Sequence, residues 1–325
     1  MRVRFWGTRG SLPVALTAED VSRKVAHALL AADGRRFDSL HDAQTFAEGL
    51  PFHLARTYGG HSSCVQIVTE VTTREPPEYV LCDLGSGVRP FGNAVIARHG
   101  ARCPLTFHVF MSHLHWDHLM GFPLFTPAYI PGNRIRIYGC HAELEQAFRR
   151  QHGAPSFPVE FDQLGATIEF VQLAPDIPHQ VAGMQVTALS QLHAGDSYGY
   201  RFDYDGRSVV YSTDSEHKLD DYRVTEQFVA FIRDADLVIF DAMYSLAEAV
   251  SIKEDWGHSS NVTGVELCQL AGARRLALFH HEPVHDDERI ATIDAETRRF
   301  EEITRDGRPP LQVVTAYDGL EIDLA

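Results

Sequence analysis

Ser112-His113-Leu114-His115-Trp116-Asp117-His118 packs three imidazoles and one carboxylate into the six positions from His113 to His118. Ordinary core or surface sequence has little reason to do so. Neutral imidazole is the commonest protein metal ligand, and carboxylate suits the same borderline metals. The apolar run Leu105-Thr106-Phe107-His108-Val109-Phe110-Met111 leads into the stretch and reads as a buried strand. A two-residue period puts His113 and His115 on one side of the chain as it leaves that strand. Asp117 and His118 follow in a turn and can face a second ion.

Further out, four elements repeat the pattern of apolar strand followed by polar turn. They end in His193 (Leu189-Ser190-Gln191-Leu192-His193), Asp214 (Val210-Tyr211-Ser212-Thr213-Asp214), His258 (Gly257-His258-Ser259-Ser260) and His280 (Leu278-Phe279-His280). Strand ends are where a rigid scaffold can gather ligands at one sheet edge.

The chain has 325 residues and a net charge of −15. A chain of this length buries roughly 75% of its unfolded surface, so it needs no disulfide or structural metal to fold. The acidic balance argues against a nucleic-acid scaffold, which would carry a basic stripe. It leaves room for a small anionic substrate held by metal. The cysteines Cys64, Cys82, Cys103, Cys140 and Cys268 are odd in number and contain no Cys-x-x-Cys pair, which points to a reducing cytoplasm. The segment Met1-Arg2-Val3-Arg4-Phe5-Trp6 lacks the apolar core of a signal peptide, and no apolar run approaches the length of a membrane helix.

Strands interleave with helices throughout, which predicts two sheets with helices outside. A single domain over 1–325 is expected, with a helical insertion over 17–54. In that insertion Val21, Val25, Ala28 and Leu29 recur at helical spacing, and Leu40, Ala43, Phe46 and Ala47 share a side of a second helix from about Asp38. Its expected role is packing on the sandwich edge, with a lid or an oligomer contact as alternatives. A helix is also expected to begin near Leu119 and to be cut short by Pro123, Pro127 and Pro131.

The motif at 113–118, followed in order by His193, Asp214 and His280, resembles the metallo-β-lactamase superfamily of metal-dependent hydrolases. His258-Ser259-Ser260 leans toward its ribonuclease Z and cyclic phosphodiesterase side. Phe5-Trp6-Gly7-Thr8-Arg9-Gly10-Ser11 and Tyr58-Gly59-Gly60-His61-Ser62-Ser63-Cys64 are similar to the phosphoribosyl cyclic phosphate phosphodiesterases. The resemblance covers nearly the whole chain except the insertion. It implies an α/β four-layer αββα sandwich and two divalent ions, zinc in the first place, with manganese permitted. His113, His115 and His193 would hold one ion, Asp117, His118 and His280 the other, and Asp214 would bridge them. His115 stands where a redox-active diiron branch would carry glutamate, so hydrolysis is expected.

The implied reaction is attack on a phosphodiester by a hydroxide shared between the ions. Asp117 would orient the nucleophile, and His258 would contact a phosphate oxygen or the departing alkoxide. His61 is a candidate substrate contact. Asp241 would either orient a ligand histidine or cap the following turn. His281 competes with His280, but neighbouring strand residues point oppositely and family position favours His280. His217 is a possible pocket residue, and Tyr198, Tyr200 and Arg201 are read chiefly as packing. Asp83 with Gly85 and Gly87 reads as a structural turn before a phosphate cradle. The favoured substrate is a small cyclic nucleotide or cyclic ribose phosphate. The alternatives are ribonuclease Z-like RNA cleavage, lactone or thioester hydrolysis, and a silent metal-binding sensor. No nucleic-acid or membrane partner is expected, and a homodimer is expected by analogy.

Overall fold

The computed structural model describes residues 1–101, 104–217, 221–245 and 257–324. One seven-stranded sheet has the order β14-β1-β2-β3-β4-β5-β6. Its strands are β1 (Arg2–Gly7), β2 (Cys64–Val68), β3 (Glu78–Cys82), β4 (Thr106–Phe110), β5 (Arg134–Gly139), β6 (Thr167–Gln172) and β14 (Glu321–Asp323). The second has the order β13-β12-β11-β10-β9-β8-β7. It contains β7 (His179–Val181), β8 (Met184–Gln191), β9 (Ser197–Tyr204), β10 (Arg207–Ser212), β11 (Leu237–Asp241), β12 (Arg275–Phe279) and β13 (Gln312–Thr315). β3 to β6 run parallel, as do β10 to β13.

Parallel strands covered on both faces carry near-continuous apolar runs. This is why Leu105–Met111 shows no alternation. Phe5, Val80, Phe110, Phe202, Tyr211, Ile239 and Phe279 fill the space between the sheets. Phe91, Phe107, Phe125 and Phe148 form the core under helices Val88–His99 and Leu144–Gln151. Val210, Phe228, Phe240 and Cys268 pack under helices Tyr222–Phe231, Asn261–Ala271 and Asp287–Thr304. The result is the αββα sandwich.

Ser197–Tyr204 and Arg275–Phe279 form strands, and Asn261–Ala271 forms a helix. Asp205 and Gly206 both take positive φ, 49° and 71°, as the hairpin turn requires. Two expectations are corrected. The helix expected from Leu119 instead spans Trp116–Leu119, so the turn that carries Asp117 and His118 is helical. Two 3₁₀ turns, Phe122–Leu124 and Thr126–Tyr129, follow, with Pro123 and Pro127 at their starts. The strand His179–Val181 has too few residues to show a period.

The second correction concerns the insertion. Helices Ala18–Ala32, Leu40–Glu48 and Phe52–Ala55 form, but Val21, Val25 and Leu29 are 48%, 53% and 69% exposed. The side turned to the sandwich is polar. Lys24 Nζ lies 2.7 Å from Asp287 Oδ2 and also donates to the carbonyls of His53 and Arg56. Helical spacing was legible; which face is covered was not. Cys103 lies outside the described residues, and Cys64, Cys82 and Cys268 are buried free thiols. Among the described residues no helix is long and apolar enough to cross a membrane.

Candidate metal centre

Asp83, His113, His193, Asp214 and His280 each lie one to three residues beyond the last residue of a strand, and Asp241 is the last residue of β11. Asp83, Asp214 and His280 take left-handed backbone, with φ of 59°, 46° and 61°. That conformation turns the chain sharply out of the sheet, so each side chain points back across the strand ends. Non-glycine residues adopt it only under constraint, and such residues gather at functional sites.

Two groups of donors meet there. Ligand-type atoms of His113, His115 and His193 lie within 4.8 Å of one another, and so do those of Asp117, His118, Asp214 and His280. Asp214 stands between the groups and divides its oxygens. Oδ2 lies 3.5 Å from His113 Nε2 and 3.8 Å from His193 Nε2. Oδ1 lies 3.2 Å from His118 Nε2 and 3.1 Å from His280 Nε2. Asp117 Oδ2 is 3.0 Å from His118 Nε2 and 3.4 Å from His280 Nε2. The second group is wholly buried, whereas His115 is exposed and His193 half-buried, so the centre opens on the His115 side.

Outer partners set the tautomers. His118 Nδ1 donates to Asp83 Oδ2 at 2.7 Å, and His193 Nδ1 donates to the Gly257 carbonyl at 2.7 Å. Each ring thereby turns Nε2 inward. Asp83 also accepts from Ser112 N, Ser112 Oγ and Tyr211 Oη. It is therefore an orienting carboxylate, beyond the structural turn read from the sequence and unlike a phosphate cradle. Gly85 serves close approach, since a Cβ there would stand 2.3 Å from the Asp117 carbonyl.

His258 Nδ1 donates to Asp241 Oδ2 at 2.8 Å. Asp241 also accepts from Ser215 N and Met243 N, so it caps the following turn, while the histidine it holds lies outside the ligand set the resemblance implies. The oriented ring is that of His258. His280 Nδ1 is 3.9 Å from Asp241 Oδ1.

Burial holds His113, His115 and His193 below the ordinary imidazole range, so they are neutral, the ligating form. Burial opposes charge on His118 too, but Asp117, Asp214 and Asp83 override it and raise its pKa well above 6.5. Burial likewise opposes the Asp214 carboxylate, yet His280 and His118 hold it well below its usual range. His258 rises to about 9, because Asp241 outweighs the penalty of burial.

The donor set suits a divalent cation. Nε2 of His113 is buried with no hydrogen-bond partner among the described residues, 3.5 Å from Asp214 Oδ2. An orphaned buried acceptor aimed at a carboxylate is costly unless a cation lies between them. All donors are N or O, which suits zinc and permits manganese.

His281 points away: its Nε2 donates to the Ala316 carbonyl at 2.8 Å. His61 lies outside both donor groups. Its Nδ1 meets Ser86 Oγ at 3.1 Å, and the ring lines a cavity of about 570 Å³ with Val14, Arg89, Met120 and Leu124. His217 packs on Phe228 and Phe240 rather than lining the centre. Tyr200 donates to the Met111 carbonyl in the core, Tyr198 packs edge-on against His141, and Arg201 binds Asp203 and two helix-end carbonyls.

Sequence reading left out Ser11, whose amide donates to Asp117 Oδ2 at 2.9 Å, and Gly10, where a Cβ would stand 2.6 Å from the His280 ring. The turn chemistry of Gly7–Pro13 was the available signal.

The family described as Beta-lactamase superfamily domain matches residues 79–281. A curated ribonuclease Z from Haloarcula marismortui is 22% identical over 293 residues, covering 75% of this chain and 87% of its own length. The metallo-β-lactamase fold protein YhfI from Bacillus subtilis superposes with a TM-score of 0.64 at 18% identity, over 99% of this chain and 98% of that one. A diphosphatase from the PhnP family gives a TM-score of 0.58 at 17% identity, over 100% and 98%.

Proposed function

The chain belongs to the β-lactamase superfamily as a metallo-β-lactamase fold hydrolase related to ribonuclease Z, and from that premise we propose that it is a phosphodiesterase acting on a small cyclic nucleotide or cyclic ribose phosphate. The observation that carries this reading is the pairing of a divided carboxylate, Asp214, with the His258–Asp241 couple beside it.

His113, His115 and His193 would hold one divalent ion and Asp117, His118 and His280 another, with one Asp214 oxygen toward each. Such ions supply Lewis acidity and lower the pKa of bound water. The protein's own groups do the rest. Asp117, fixed by the Ser11 amide, orients the attacking water. His258, anchored through Nδ1, presents Nε2 to a phosphate oxygen or to the departing alkoxide and donates its proton there.

A further feature favours a substrate with a flat group. Trp116, next in sequence to the exposed His115, is 80% exposed. An aromatic ring there is a stacking surface for a nucleobase. His61 with Arg89 in the adjoining cavity could contact the remainder of the substrate. Small-molecule chemistry, the cytoplasm as its setting and the absence of a nucleic-acid partner all belong to this proposal.

Ribonuclease Z-like cleavage is the second reading, favoured by the curated relative of that name. The net charge of −15 opposes it, because phosphate contacts dominate RNA affinity. One substrate panel separates the readings: bis-p-nitrophenyl phosphate, 2′,3′- and 3′,5′-cyclic nucleotides, cyclic ribose phosphate, a precursor transfer RNA and a lactone. Turnover of the cyclic phosphates is expected. Lactone hydrolysis with silence on every phosphodiester would sink the proposal.

A further inference from the structure

We infer that Arg9 is a positioning residue of the metal centre: its buried guanidinium clamps the two loops behind Asp117 and His280 and so sets the spacing of the second donor group, without acting on His113, His115 or His193. The inference rests on the reading of the donors as two ion sites and is independent of the substrate.

Arginine is almost never fully buried unless its donors are met. Arg9 is 2% exposed. Its Nε donates to the Gly59 carbonyl at 2.9 Å, and its Nη1 donates to the carbonyls of His285 at 2.7 Å and Glu282 at 3.3 Å. Gly59 lies on the loop before β2, and the other two lie on the segment that follows His280. Burial lowers the Arg9 pKa, and the negative charges of Asp287, Asp318 and Asp286 counter it. The guanidinium therefore stays charged, and every bond it makes to these carbonyls is charge-assisted.

The main chain of the same residue is built into the same two loops. Arg9 bridges Ser62 on one side and His281 on the other. Arg9 N donates to the His61 carbonyl at 2.9 Å, and Gly10 N to the His281 carbonyl at 3.0 Å. The donors come next along the chain. Gly10 lies against the His280 ring, and the Ser11 amide holds Asp117 Oδ2. Ser62, in the loop clamped at Gly59, donates Oγ to the Asp117 carbonyl at 2.8 Å. Asp318 closes that loop from behind, accepting from Gly60 N, His61 N and Thr8 Oγ1. Both clamped loops thus end on Asp117 or His280, and none of these contacts touches His113, His115 or His193. Outer groups that fix such loops decide how exactly the donors are held.

Three carbonyls on two loops suit a planar fork of N–H donors. An ammonium gathers its donors on one atom and cannot span them. Arg9→Lys therefore keeps the charge among its aspartates and removes the clamp.

Zinc titration against a chromophoric chelator tests this. The wild-type chain is expected to take two ions. His280→Ala should leave the ion held by His113, His115 and His193, and His193→Ala should leave the other. Adding Arg9→Lys should weaken the remaining zinc by about 10–100-fold in the His193→Ala chain and by less than about twofold in the His280→Ala chain. If Arg9→Lys does not fold, Arg9→Gln, which is neutral but still donates, makes the same comparison. A merely structural arginine would weaken both ions alike, so equal losses would overturn the inference, as would no loss in either chain. Fewer than two ions on the wild-type chain would remove the two-site reading and the inference with it.

Discussion

Asp241 accepts a hydrogen bond from His258 Nδ1 at 2.8 Å, so a ring beside the metal donors is fixed by a fully buried carboxylate at the end of a core strand. His258 also lies within 4.8 Å reach of His193 and Asp214, and of His280, so its part in the proposed reaction is separable from metal binding only by experiment.

His258→Ala should retain both ions while kcat falls by about 10²–10⁴-fold with little change in KM. Asp241→Asn should move kcat the same way by less. Metal content by plasma mass spectrometry decides the matter: loss of an ion from His258→Ala would make His258 a ligand.

Asp83 gathers His118 Nδ1, Ser112 N, Ser112 Oγ and Tyr211 Oη. Asp83→Ala leaves those donors without their acceptor and frees the His118 ring. Affinity for zinc should drop by about 10–100-fold, read by competition with a chromophoric chelator. Wild-type affinity in the variant would remove Asp83 from this role.

Loading metal should release protons. In the metal-free chain His118 is charged near neutral pH, since Asp117, Asp214 and Asp83 override the burial penalty. Ligation through Nε2 requires that ring neutral, so binding should expel at least one proton per chain. An indicator dye in weak buffer measures it. Release of no proton would show that His118 does not ligate.

Trp116→Ala should raise KM for 3′,5′-cyclic AMP by about tenfold, the scale of one base stacked on an aromatic ring. Cyclic ribose phosphate, which has no base, should be turned over as before. Equal effects on both substrates would assign Trp116 to shaping the centre instead.

His217, wedged between Phe228 and Phe240, has its pKa lowered by burial to about 4. The unfolded chain binds that proton near 6.5, the native chain only near 4. The native state is therefore favoured above pH 6.5 and loses ground as pH falls toward 4. His217→Phe should make the stability loss between pH 7 and pH 5 smaller by about 2 kcal/mol in urea melts. An unchanged slope would mean that the ring is not buried neutral.

The layered fold and the donors were legible because both follow short rules. Buried parallel strands announce themselves as apolar runs, and His113, His115, His118, His193, Asp214 and His280 follow strand-like segments in order. What lay beyond reading was contact across long separations. Asp83 meets Tyr211 over 128 positions, and Ser11 meets Asp117 over 106. Neither carries a local period. The insertion misled for another reason: spacing identifies a helical face but not its direction, and Lys24 with Asp287 decided that.

The backbone at Asp83, Asp214 and His280 has one more consequence. A left-handed φ at a residue with a side chain costs about 1 kcal/mol or more, and glycine relieves it. Drift toward a more stable chain would thus favour glycine at all three positions. Each such step would erase an oriented donor or its anchor. These residues therefore persist against a stability gradient, and a homologue with glycine at the position of Asp214 or His280 should be read as a lineage that has exchanged its chemistry for a more relaxed fold.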